Sequence, residues 1–532
     1  MKKLINISRY LTSNISVKSK LKDGPGLDFF LSENKLKRPP KIYPDVNSSK
    51  EYLSSDDLKG NGKKVHLITY GCQMNVSDME IIRSILFKEN DYVETKNIKE
   101  AQVVLLMTCS IREGAEEKVW DKLKYINSLS NKKKVVGVLG CMAERAKHTI
   151  MEKSRVVDLV AGPDSYRDLP RLLGITNYGQ NAINVQLSFD ETYADVQPVR
   201  ENPESKQAFV SIMRGCDNMC TYCVVPFTRG RERSRPIDSI INEVKMLSNE
   251  GYKQITLLGQ NVNSYRDMSE SSISLNSNAT SLHGFKTVYK AKQGGRRFDI
   301  LLDKISMIDP EMRIRFTSPH PKDFPLEVIE LIKERKNICK QIHLPAQSGD
   351  NETLLAMGRG YTVERYLELV DDIRSKIPSI HLTSDFIVGF CGETEEGHKR
   401  TLELIKKVKF STCFVFPYSE REKTRAYYKL NDDVPEEVKK RRHQEIVTVF
   451  RDTALEWNKS LIGSEQILLV ESTTTKRSNT ASSGRTDGGT KAIFENGDLK
   501  YNIGDYLKVK ITSATSQTLQ ALPIEKVKLV DL

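Results

Sequence analysis

Short runs of apolar, β-branched residues alternate with longer amphipathic stretches in the part of the chain that begins near residue 64. The runs "VHLITY", "VVLLM" and "KVVGVLG" are each followed by a stretch with helical periodicity, near residues 77–89, 113–128 and 142–152. Strands that are apolar on both faces and alternate with helices are typical of a parallel sheet covered by helices. The pattern therefore predicts a small parallel α/β domain over residues 61–175.

A second alternating region follows a polar stretch, residues 176–205, which we interpret as a linker. Six apolar runs recur in this region: "AFVSIM", "QITLL", "RIRF", "QIHL", "HLTSDFIV" and "TCFVF". Helical stretches separate them, near residues 237–249, 299–308, 326–335, 364–377 and 395–408. Six consecutive βα units predict a parallel partial (β/α)6 barrel over residues 206–458, in which the polar segments after the strands form one rim.

An insertion and a carboxyl-terminal region complete the predicted organisation. Residues 267–297 are rich in Ser and Asn and are expected to form a flexible surface loop within the barrel. Beyond residue 459 the runs "EQILLVEST", "GRTDGGTKAIFE" and "GDYLKVKITSA" are joined by Gly and Asp turns, which predicts a small β-barrel over residues 459–532. The predicted fold class is therefore α/β, with a small all-β domain at the carboxyl end.

The first 60 residues differ in composition from the rest of the chain. Residues 1–22 contain six basic residues and no acidic one, with Ser and Thr between apolar residues at helical spacing. Such a start resembles a mitochondrial presequence, and the alternative is a disordered basic tail. Residues 23–60 are expected to be a disordered linker. The expected location is the mitochondrial matrix, with the cytoplasm as the alternative.

Charge and cysteine content narrow the class of protein. The excess of Lys and Arg over Asp and Glu is 82 − 70 = 12, which suits a polyanionic partner such as nucleic acid. No apolar run approaches the roughly 18 residues of a membrane span, so no membrane partner is expected. Nine cysteines in a long chain without an apolar signal-peptide core argue against a disulfide scaffold and favour metal or redox chemistry.

Three cysteines are concentrated in "MRGCDNMCTYC", after the first predicted barrel strand. Cys216, Cys220 and Cys223, the barrel cysteines, form a C-x3-C-x2-C motif whose thiolates suit a soft metal centre. A structural zinc ion needs four ligands, and zinc fits poorly unless a remote residue supplies the fourth. A 4Fe–4S cluster held by three cysteines leaves one iron open to chelate an amine and a carboxylate, as the methionine end of S-adenosylmethionine would.

A second trio follows the strands of the predicted amino-terminal sheet. Cys72 in "YGCQMN", Cys109 in "MTCSIRE" and Cys141 in "LGCMAER", the sheet cysteines, each lie just after an apolar run. The carboxyl ends of parallel strands share one edge at which ligands bind, so these thiols are expected to converge in space. The alternative is three unrelated buried cysteines, which are common in proteins.

Together these motifs resemble the radical S-adenosylmethionine superfamily, and within it the methylthiotransferases of the MiaB type. The resemblance is carried by the C-x3-C-x2-C motif with Tyr222 before its last cysteine, by "GCDNMCTYCVVPFTRGRERSRP", by the three sheet-cysteine motifs, and by a carboxyl-terminal barrel similar to a TRAM domain. It runs from about residue 64 to the end. The chain is most similar to the eukaryotic mitochondrial branch, which shares an insertion ending near "KQGG", here Lys292–Gly295.

This resemblance implies two 4Fe–4S clusters and S-adenosylmethionine as cofactors. The barrel cysteines would hold the cluster that cleaves S-adenosylmethionine to a 5′-deoxyadenosyl radical, and the sheet cysteines would hold an auxiliary cluster that carries a sulfur species. One S-adenosylmethionine would methylate that sulfur, and a second would supply the radical that removes hydrogen from C2 of an adenine. The implied enzyme converts N6-isopentenyladenosine, next to the anticodon of tRNA on its 3′ side, to the 2-methylthio form.

Other members of the superfamily leave alternatives open. One relative modifies threonylcarbamoyladenosine in tRNA, and another modifies an aspartate of a ribosomal protein. The eukaryotic branch is described as associated with a regulatory subunit of a cyclin-dependent kinase. A non-enzymatic alternative is therefore a regulatory protein that binds such a kinase activator subunit. The expected partners are therefore tRNA carrying isopentenyladenosine, an electron donor and, on the last alternative, the kinase activator.

A basic segment adjoins the barrel cysteines. Arg229, Arg231, Arg233 and Arg235 alternate along it. In an extended segment they would present one cationic face to phosphates or to a cofactor carboxylate. The alternative is a solvated charged edge.

Other candidates have only their predicted position on the rim as support. The residues expected to contact cofactor or substrate are Tyr222, Gln260, Asn261, Ser318, Gln347 and Glu393. His320 and His343 lie near the same mouth, although His343, on a strand, is also explained as a satisfied core residue. Cys339 and Cys413 are interpreted as buried thiols. Cys391 stands where bacterial members usually have proline, and is interpreted as an inert wall residue or an adventitious ligand.

Overall fold

The computed structural model describes residues 53–110, 113–129, 134–202, 204–269, 294–476, 478–497 and 499–531. The predicted presequence and most of the predicted loop 267–297 lie outside these residues. The two ends of that loop are described, and Arg266–Asp267 pairs antiparallel with Arg296–Arg297. Within the described residues, no helix combines the length and the apolar character needed to cross a membrane.

The amino-terminal domain is a fully parallel sheet of six strands with helices on both faces. The strands lie in the order β2-β1-β3-β4-β5-β6 and are β1 (Lys64–Thr69), β2 (Val93–Glu94), β3 (Val103–Thr108), β4 (Val135–Gly140), β5 (Leu159–Ala161) and β6 (Ala182–Asn184). The helices are α1 (Gln73–Arg83, continued by a π-helical turn over Ser84–Lys88), α2 (Glu113–Ser128), α3 (Cys141–Ala146), α4 (His148–Lys153) and α5 (Leu169–Asn177). Alternate residues of β3 pack into two apolar cores, one on each face, so the strand is buried on both sides.

The stretch 176–205, predicted as a linker, is part of the folded amino-terminal domain. It supplies β6, which pairs with β5, and the side chains of Tyr193 and Val196 join one of the two cores. The stretch is polar and β6 is only three residues long, so no apolar run marked the strand in the sequence. The strands β2 and β5 escaped prediction for the same reason, since two or three residues show no period.

The middle domain is the predicted partial barrel of six parallel strands. They are β7 (Gln207–Ser211), β8 (Gln254–Leu258), β9 (Arg313–Phe316), β10 (Gln341–His343), β11 (His381–Val388) and β12 (Thr412–Pro417). They form two three-stranded sheets, β7-β8-β9 and β10-β11-β12, and a parallel bridge between Ile314 and Ile338 joins the two. The helices are α6 (Val225–Thr228), α7 (Ile237–Asn249), α8 (Phe298–Ser306), α9 (Leu326–Glu334), α10 (Asn351–Ala356), α11 (Val363–Lys376), α12 (Glu395–Val408), α13 (Arg425–Lys429) and α14 (Glu436–Ser460). Met213–Arg214 and Arg233–Ser234 form a short antiparallel pair.

The carboxyl-terminal domain is a closed barrel of five strands. They are β13 (Glu465–Ser472), β14 (Ala481–Thr486), β15 (Lys491–Glu495), β16 (Tyr506–Ala514) and β17 (Thr518–Val527), in the order β13-β14-β15-β17-β16. Strand β17 was not predicted, because it contains a proline and most of its side chains are exposed or half-buried. The predicted α/β class with a small carboxyl-terminal barrel is confirmed.

The turn between β14 and β15 closes the amino end of the half-barrel. Gly488 lies so close to His381, the first residue of β11, that an added Cβ would stand 2.2 Å from its imidazole ring. Asp487 accepts a hydrogen bond from the backbone N–H of Lys340 at 2.9 Å, just before β10. Arg315 of β9 donates to the carbonyl of Thr486 at 2.9 Å. The small barrel is therefore attached opposite the rim that carries the cysteines.

Candidate functional site

The loop that holds the barrel cysteines, residues 216–223, lies across the carboxyl ends of the half-barrel strands. The backbone N–H of Thr221 donates to the carbonyl of Met357, after α10, at 2.9 Å. The carbonyl of Thr221 accepts from the backbone N–H of Ala426 in α13 at 2.8 Å. Tyr222 packs edge-on against Phe390, which follows β11, with ring centroids 6.3 Å apart. Segments from three other strands therefore hold this loop at the predicted rim.

The barrel cysteines lie close enough to influence one another. The pKa of Cys223 is raised to about 12, chiefly by burial and partly by the neighbouring Cys220. Burial also raises the pKa of Cys216 well above its ordinary value, with smaller contributions from Glu232 and from the other two thiols. Such thiols stay protonated until a metal replaces the proton, because the thiolate is the metal-binding form.

Nitrogen donors surround the sulfurs of this trio. The backbone N–H of Asn218 donates to Cys216 Sγ at 3.4 Å. Arg359 Nη1 lies 3.4 Å from both Cys220 Sγ and the hydroxyl of Tyr222, to which it donates. Hydrogen bonds to sulfur are one of the means by which proteins set the potential of an iron–sulfur cluster. Sequence reasoning missed Arg359, although its place between two glycines in a rim segment was a signal.

The sheet cysteines also come together, as predicted. Cys72 precedes α1, Cys109 follows β3, and Cys141 begins α3 directly after β4. The side-chain amide of Asn75 donates to the carbonyls of Tyr70 at 2.7 Å and Thr108 at 3.0 Å, which joins the loops of the first two cysteines. The pKa of Cys141 is raised to about 12, chiefly by burial and partly by the other two thiols, while Arg229 opposes the shift. The convergence argues against three unrelated buried thiols.

Arg229 connects the two trios. It follows α6, just beyond the barrel cysteines, and its Nε donates to Cys141 Sγ at 3.2 Å. Its Nη2 donates to Asn75 Oδ1 at 3.0 Å and to Asp78 Oδ2 at 2.9 Å. Arg214, two residues before Cys216, forms an ion pair with the other oxygen of Asp78 at 2.7 Å. One carboxylate of the amino-terminal domain therefore binds arginines on both sides of the barrel cysteine loop.

Asp78 is the centre of this contact. It is completely buried on α1, where burial alone would raise its pKa, yet the guanidinium groups of Arg214 and Arg229 hold that pKa below its ordinary value. Asp78 therefore remains a carboxylate inside the protein, which requires both arginines as partners. Sequence reasoning missed it, although Asn75, Asp78 and Ile82 share the buried stripe of one helix and polar residues there are unusual.

The predicted cationic face of four alternating arginines is wrong. Arg233 is buried and pairs with Asp164 of the amino-terminal domain at 2.9 Å, and Arg235 pairs with Glu243 of α7 at 2.7 Å. Arg229 is buried as described above, so the alternative of a solvated edge is wrong for these three as well. Arg231 is the exception, with its side chain half exposed beside Asp217. The segment lies between two domains, and its three buried arginines pair with carboxylates of both domains.

The remaining rim candidates differ in their partners. Gln260 is half-buried, and its buried Oε1 has no hydrogen-bond partner among the described residues. Asn261 accepts from the backbone N–H of His320 at 3.1 Å, while Ser318 and Gln347 adopt positive φ angles of 59° and 72°. Backbone strain of this kind is common at functional sites. Glu393 pairs with Arg442 at 2.9 Å and accepts from the backbone N–H of Gly389 at 2.6 Å, so much of its hydrogen-bonding capacity is already used.

The other candidate histidines and cysteines are buried or partly buried. His343 bonds Thr383 at 2.8 Å and Asp385 at 3.3 Å, as a satisfied strand residue does. His320 is buried, which lowers its pKa well below the ordinary value, with further lowering by Arg359 and Lys322. Three other buried thiols, all with pKa values raised mainly by burial, are Cys339, Cys391 and Cys413. Cys391 lies in an apolar cluster, which agrees with a wall residue.

The donor sets suit iron–sulfur clusters better than single ions. All nine cysteines lie in the described residues as thiols without disulfide partners. In that part of the chain, no group of three or more His, Cys, Asp or Glu side chains is arranged to hold one metal ion. The cysteines of a 4Fe–4S cluster bind separate iron atoms, so they need not surround one point. Each trio combines buried sulfurs with an arginine N–H directed at one of them, which fits a cluster.

Replacing Gly215 by alanine should disrupt the barrel cysteine loop. Gly215 has a φ of +77°, and an added Cβ would stand 2.0 Å from the carbonyl oxygen of Arg231. We expect stability to fall by about 2 kcal/mol or more, together with loss of iron, because strain and a backbone clash add. The control is Gly251→Ala, with a φ of +80° and no atom within 4 Å. It should cost only about 1 kcal/mol and keep its iron. Equal thermal shifts in the two variants would contradict the prediction.

Three protein-family models match separate parts of the chain. Residues 64–162 match an uncharacterised protein family, UPF0004. Residues 210–405 match the Radical SAM superfamily, and residues 459–524 match the TRAM domain.

Similar proteins cover nearly the whole chain. A CDK5RAP1-like protein of Caenorhabditis elegans is 60% identical over 504 residues, which cover 94% of this chain and 92% of that protein. The human protein named mitochondrial tRNA methylthiotransferase CDK5RAP1 is 52% identical and covers 94% of this chain, with 88% of its own length matched. A tRNA-2-methylthio-N(6)-dimethylallyladenosine synthase of Chloroherpeton thalassium is 46% identical, over 86% of this chain and 95% of that protein. The family predicted from the cysteine motifs is confirmed, and the chain belongs to the radical S-adenosylmethionine family of tRNA methylthiotransferases.

Proposed function

We propose that this chain converts N6-isopentenyladenosine in tRNA, also called N6-dimethylallyladenosine, to its 2-methylthio form, on the 3′ side of the anticodon. The observation that carries the proposal is the pair of cysteine trios linked through Arg229 and Asp78. An unactivated aromatic C–H bond does not yield to acid–base residues alone. Two redox-active centres held by these trios would provide for such chemistry, and the names of the bacterial relatives specify the same product.

Residues of both domains would hold the cofactors. The barrel cysteines would hold a 4Fe–4S cluster with S-adenosylmethionine, as the Radical SAM match implies, and the sheet cysteines would hold a second, auxiliary cluster. When bound, these groups supply the electron, the carbon-centred radical and the methylthio sulfur that the reaction consumes. Tyr222, Gln260 and Glu393 remain proposed cofactor contacts, with Gln260 the best placed because its Oε1 is buried and unpartnered in the described structure.

The protein's own residues orient and protect this chemistry. Arg359 and Asn218 donate hydrogen bonds to two sulfurs of the barrel trio, and Arg229 donates to one sulfur of the sheet trio. An N–H group that donates to sulfur stabilises a thiolate, which is the form that binds metal. Burial of most of the cysteines excludes water, which would otherwise quench reactive intermediates.

Location and partners follow from the relatives and from the reaction. Mammalian relatives are named mitochondrial, and the basic first 22 residues resemble a presequence, so we place the enzyme in the mitochondrial matrix. The substrate is tRNA, and an electron donor is required because cleavage of S-adenosylmethionine consumes an electron. Six cysteines in two linked trios favour an enzyme over a protein that only binds a kinase activator.

Nucleoside analysis of tRNA tests the proposal. Cells that lack the protein should lose 2-methylthio-N6-isopentenyladenosine and accumulate isopentenyladenosine, and the wild-type chain should restore the product. Loss of the methylthio group from threonylcarbamoyladenosine alone would show that the proposed substrate is wrong. Unchanged tRNA nucleosides, together with loss of a modified ribosomal aspartate, would reject tRNA as the substrate.

A further inference from the structure

The segment that follows the last half-barrel strand, residues 418–430, borders both cysteine trios. The backbone N–H of Ala426 donates to the carbonyl of Thr221, which lies between two of the barrel cysteines, at 2.8 Å. The side chain of Lys423 donates to the carbonyl of Arg145 at 3.3 Å, four residues after Cys141. The segment therefore contacts residues beside both trios.

Two adjacent aromatic side chains of this segment face solvent. Tyr427 is 40% exposed and Tyr428 is 59% exposed, and their rings lie 5.2 Å apart at an angle of 82°. The short helix α13 that carries them is fixed, because Thr424 caps its first turn at 3.2 Å and the side chain of Ala426 is buried. Two adjacent exposed aromatic rings on a fixed helix beside the barrel cysteine loop form a candidate binding surface.

The charges around the two tyrosines suit a polyanion. Arg425 and Lys429 lie one turn apart on α13, and neither forms an ion pair within the described part of the chain. Arg421 and Lys423 are the other cations of the segment, and Glu420 and Glu422 are its acids. The acids precede the helix, so the only charged side chains on the helix itself are the positive ones of Arg425 and Lys429.

We propose that Tyr427 and Tyr428, flanked by Arg425 and Lys429, form a stacking platform for unpaired bases of the tRNA anticodon loop beside the modified adenosine. This inference rests on the proposed function. Single-stranded RNA loops are recognised by stacking of splayed bases on aromatic rings, while Arg and Lys bind the phosphates. An adenine that enters a buried chamber leaves its stacked neighbours, and the tyrosine rings replace the contacts that those neighbours lose.

Binding of an anticodon stem–loop hairpin to the cluster-loaded full chain tests the platform. Replacing both tyrosines by alanine should weaken binding by about 5- to 100-fold, and replacing both by phenylalanine should change it by less than about twofold, because stacking needs the ring. A fully paired duplex of the same length should bind both variants equally well. Arg425→Gln with Lys429→Gln should weaken hairpin and duplex alike and reduce the salt dependence.

The control is Tyr178→Ala. Tyr178 is 61% exposed but follows α5, whose carboxyl end lies at the sheet edge opposite the cysteines. This variant should bind the hairpin like the wild type. Iron content and cleavage of S-adenosylmethionine without RNA should be unchanged in all the tyrosine variants, which separates lost docking from lost folding.

If the double alanine variant binds the hairpin with wild-type affinity, the proposed stacking platform is wrong. The exposed tyrosines would then be assigned to binding of a protein partner. An equal loss of hairpin and duplex binding in that variant would overturn the platform as well. Failure of the proposed function has a different signature. In that case tRNA nucleosides stay unchanged in cells that lack the protein, whatever the hairpin affinity of the tyrosine variants.

Discussion

Replacement of Cys216, Cys220 and Cys223 by alanine is expected to abolish methylthiolation and to lower the iron content of the anaerobically reconstituted chain from about eight to about four atoms. Each trio is a separate donor set on a separate domain, so the loss of one leaves the sulfurs of the other in place. Iron and sulfide analysis, with product analysis on tRNA, measures both effects. The same replacement of the sheet cysteines should also remove about half of the iron, while cleavage of S-adenosylmethionine persists.

The matched control is Cys339→Ala. Cys339 is buried at least as deeply as any of the proposed ligands, but it lies between β9 and β10, near the amino end of the half-barrel. This variant should retain about eight irons and its activity. A wild-type content of about four irons would show that one trio has no metal role. Retained activity after loss of the barrel cysteines would refute the proposed reaction.

Asp78→Asn is expected to destabilise the protein by about 3–5 kcal/mol, because the change leaves two buried arginines without their shared carboxylate. The side chains of Arg214 and Arg229 are nearly completely buried, so water cannot replace the lost carboxylate. This loss of stability should appear as a lower denaturation midpoint of the part of the protein that contains the two cysteine trios. Because Arg229 also donates to Cys141, the spectroscopic signature of the auxiliary cluster should change as well.

The control is Glu100→Gln, another carboxylate-to-amide change. Glu100 pairs with Lys64 at 2.9 Å, but both side chains are about half exposed, so this change should lower the denaturation midpoint far less than Asp78→Asn does. An equal effect of the two changes would contradict the structural role of Asp78.

The effect of Asp78→Asn should also have a defined pH dependence. The pKa of Asp78 is lowered in the folded chain from its ordinary value of 3.8, so the folded state binds fewer protons than the unfolded state near that pH. The stabilisation is therefore complete above that value and is lost as the pH falls through the lower, folded pKa. The difference between the wild type and the variant should stay constant from about pH 5 to 8 and narrow only below about pH 4.

The sequence predicted the large elements and the two thiol clusters, because their signals are local. Continuous apolar runs marked the long strands, and a cysteine after each of three runs was sufficient to predict a shared edge. The helix near residues 237–249 was predicted with its observed bounds, Ile237–Asn249. The strands that were missed are either too short to show a period or, like β17, contain polar side chains and a proline.

The electrostatic partners of the cysteines could not be predicted, because they depend on contacts between distant segments. The sequence shows that Arg229, Arg233 and Arg235 alternate, but not that Asp78, Asp164 and Glu243 lie opposite them. In the sequence, an arginine next to a cofactor motif looks the same whether its counter-ion in the folded protein is a phosphate or a buried carboxylate. Asp78 lies more than 130 residues before its partners, so no local pattern records the pairing.

The turn from the small barrel that fills the amino end of the half-barrel affects the order of events in a catalytic cycle. Because protein covers that end, the proposed cofactors and the proposed RNA would both approach from the cysteine rim. We therefore expect S-adenosylmethionine to bind before the RNA, and its cleavage products to leave after the RNA.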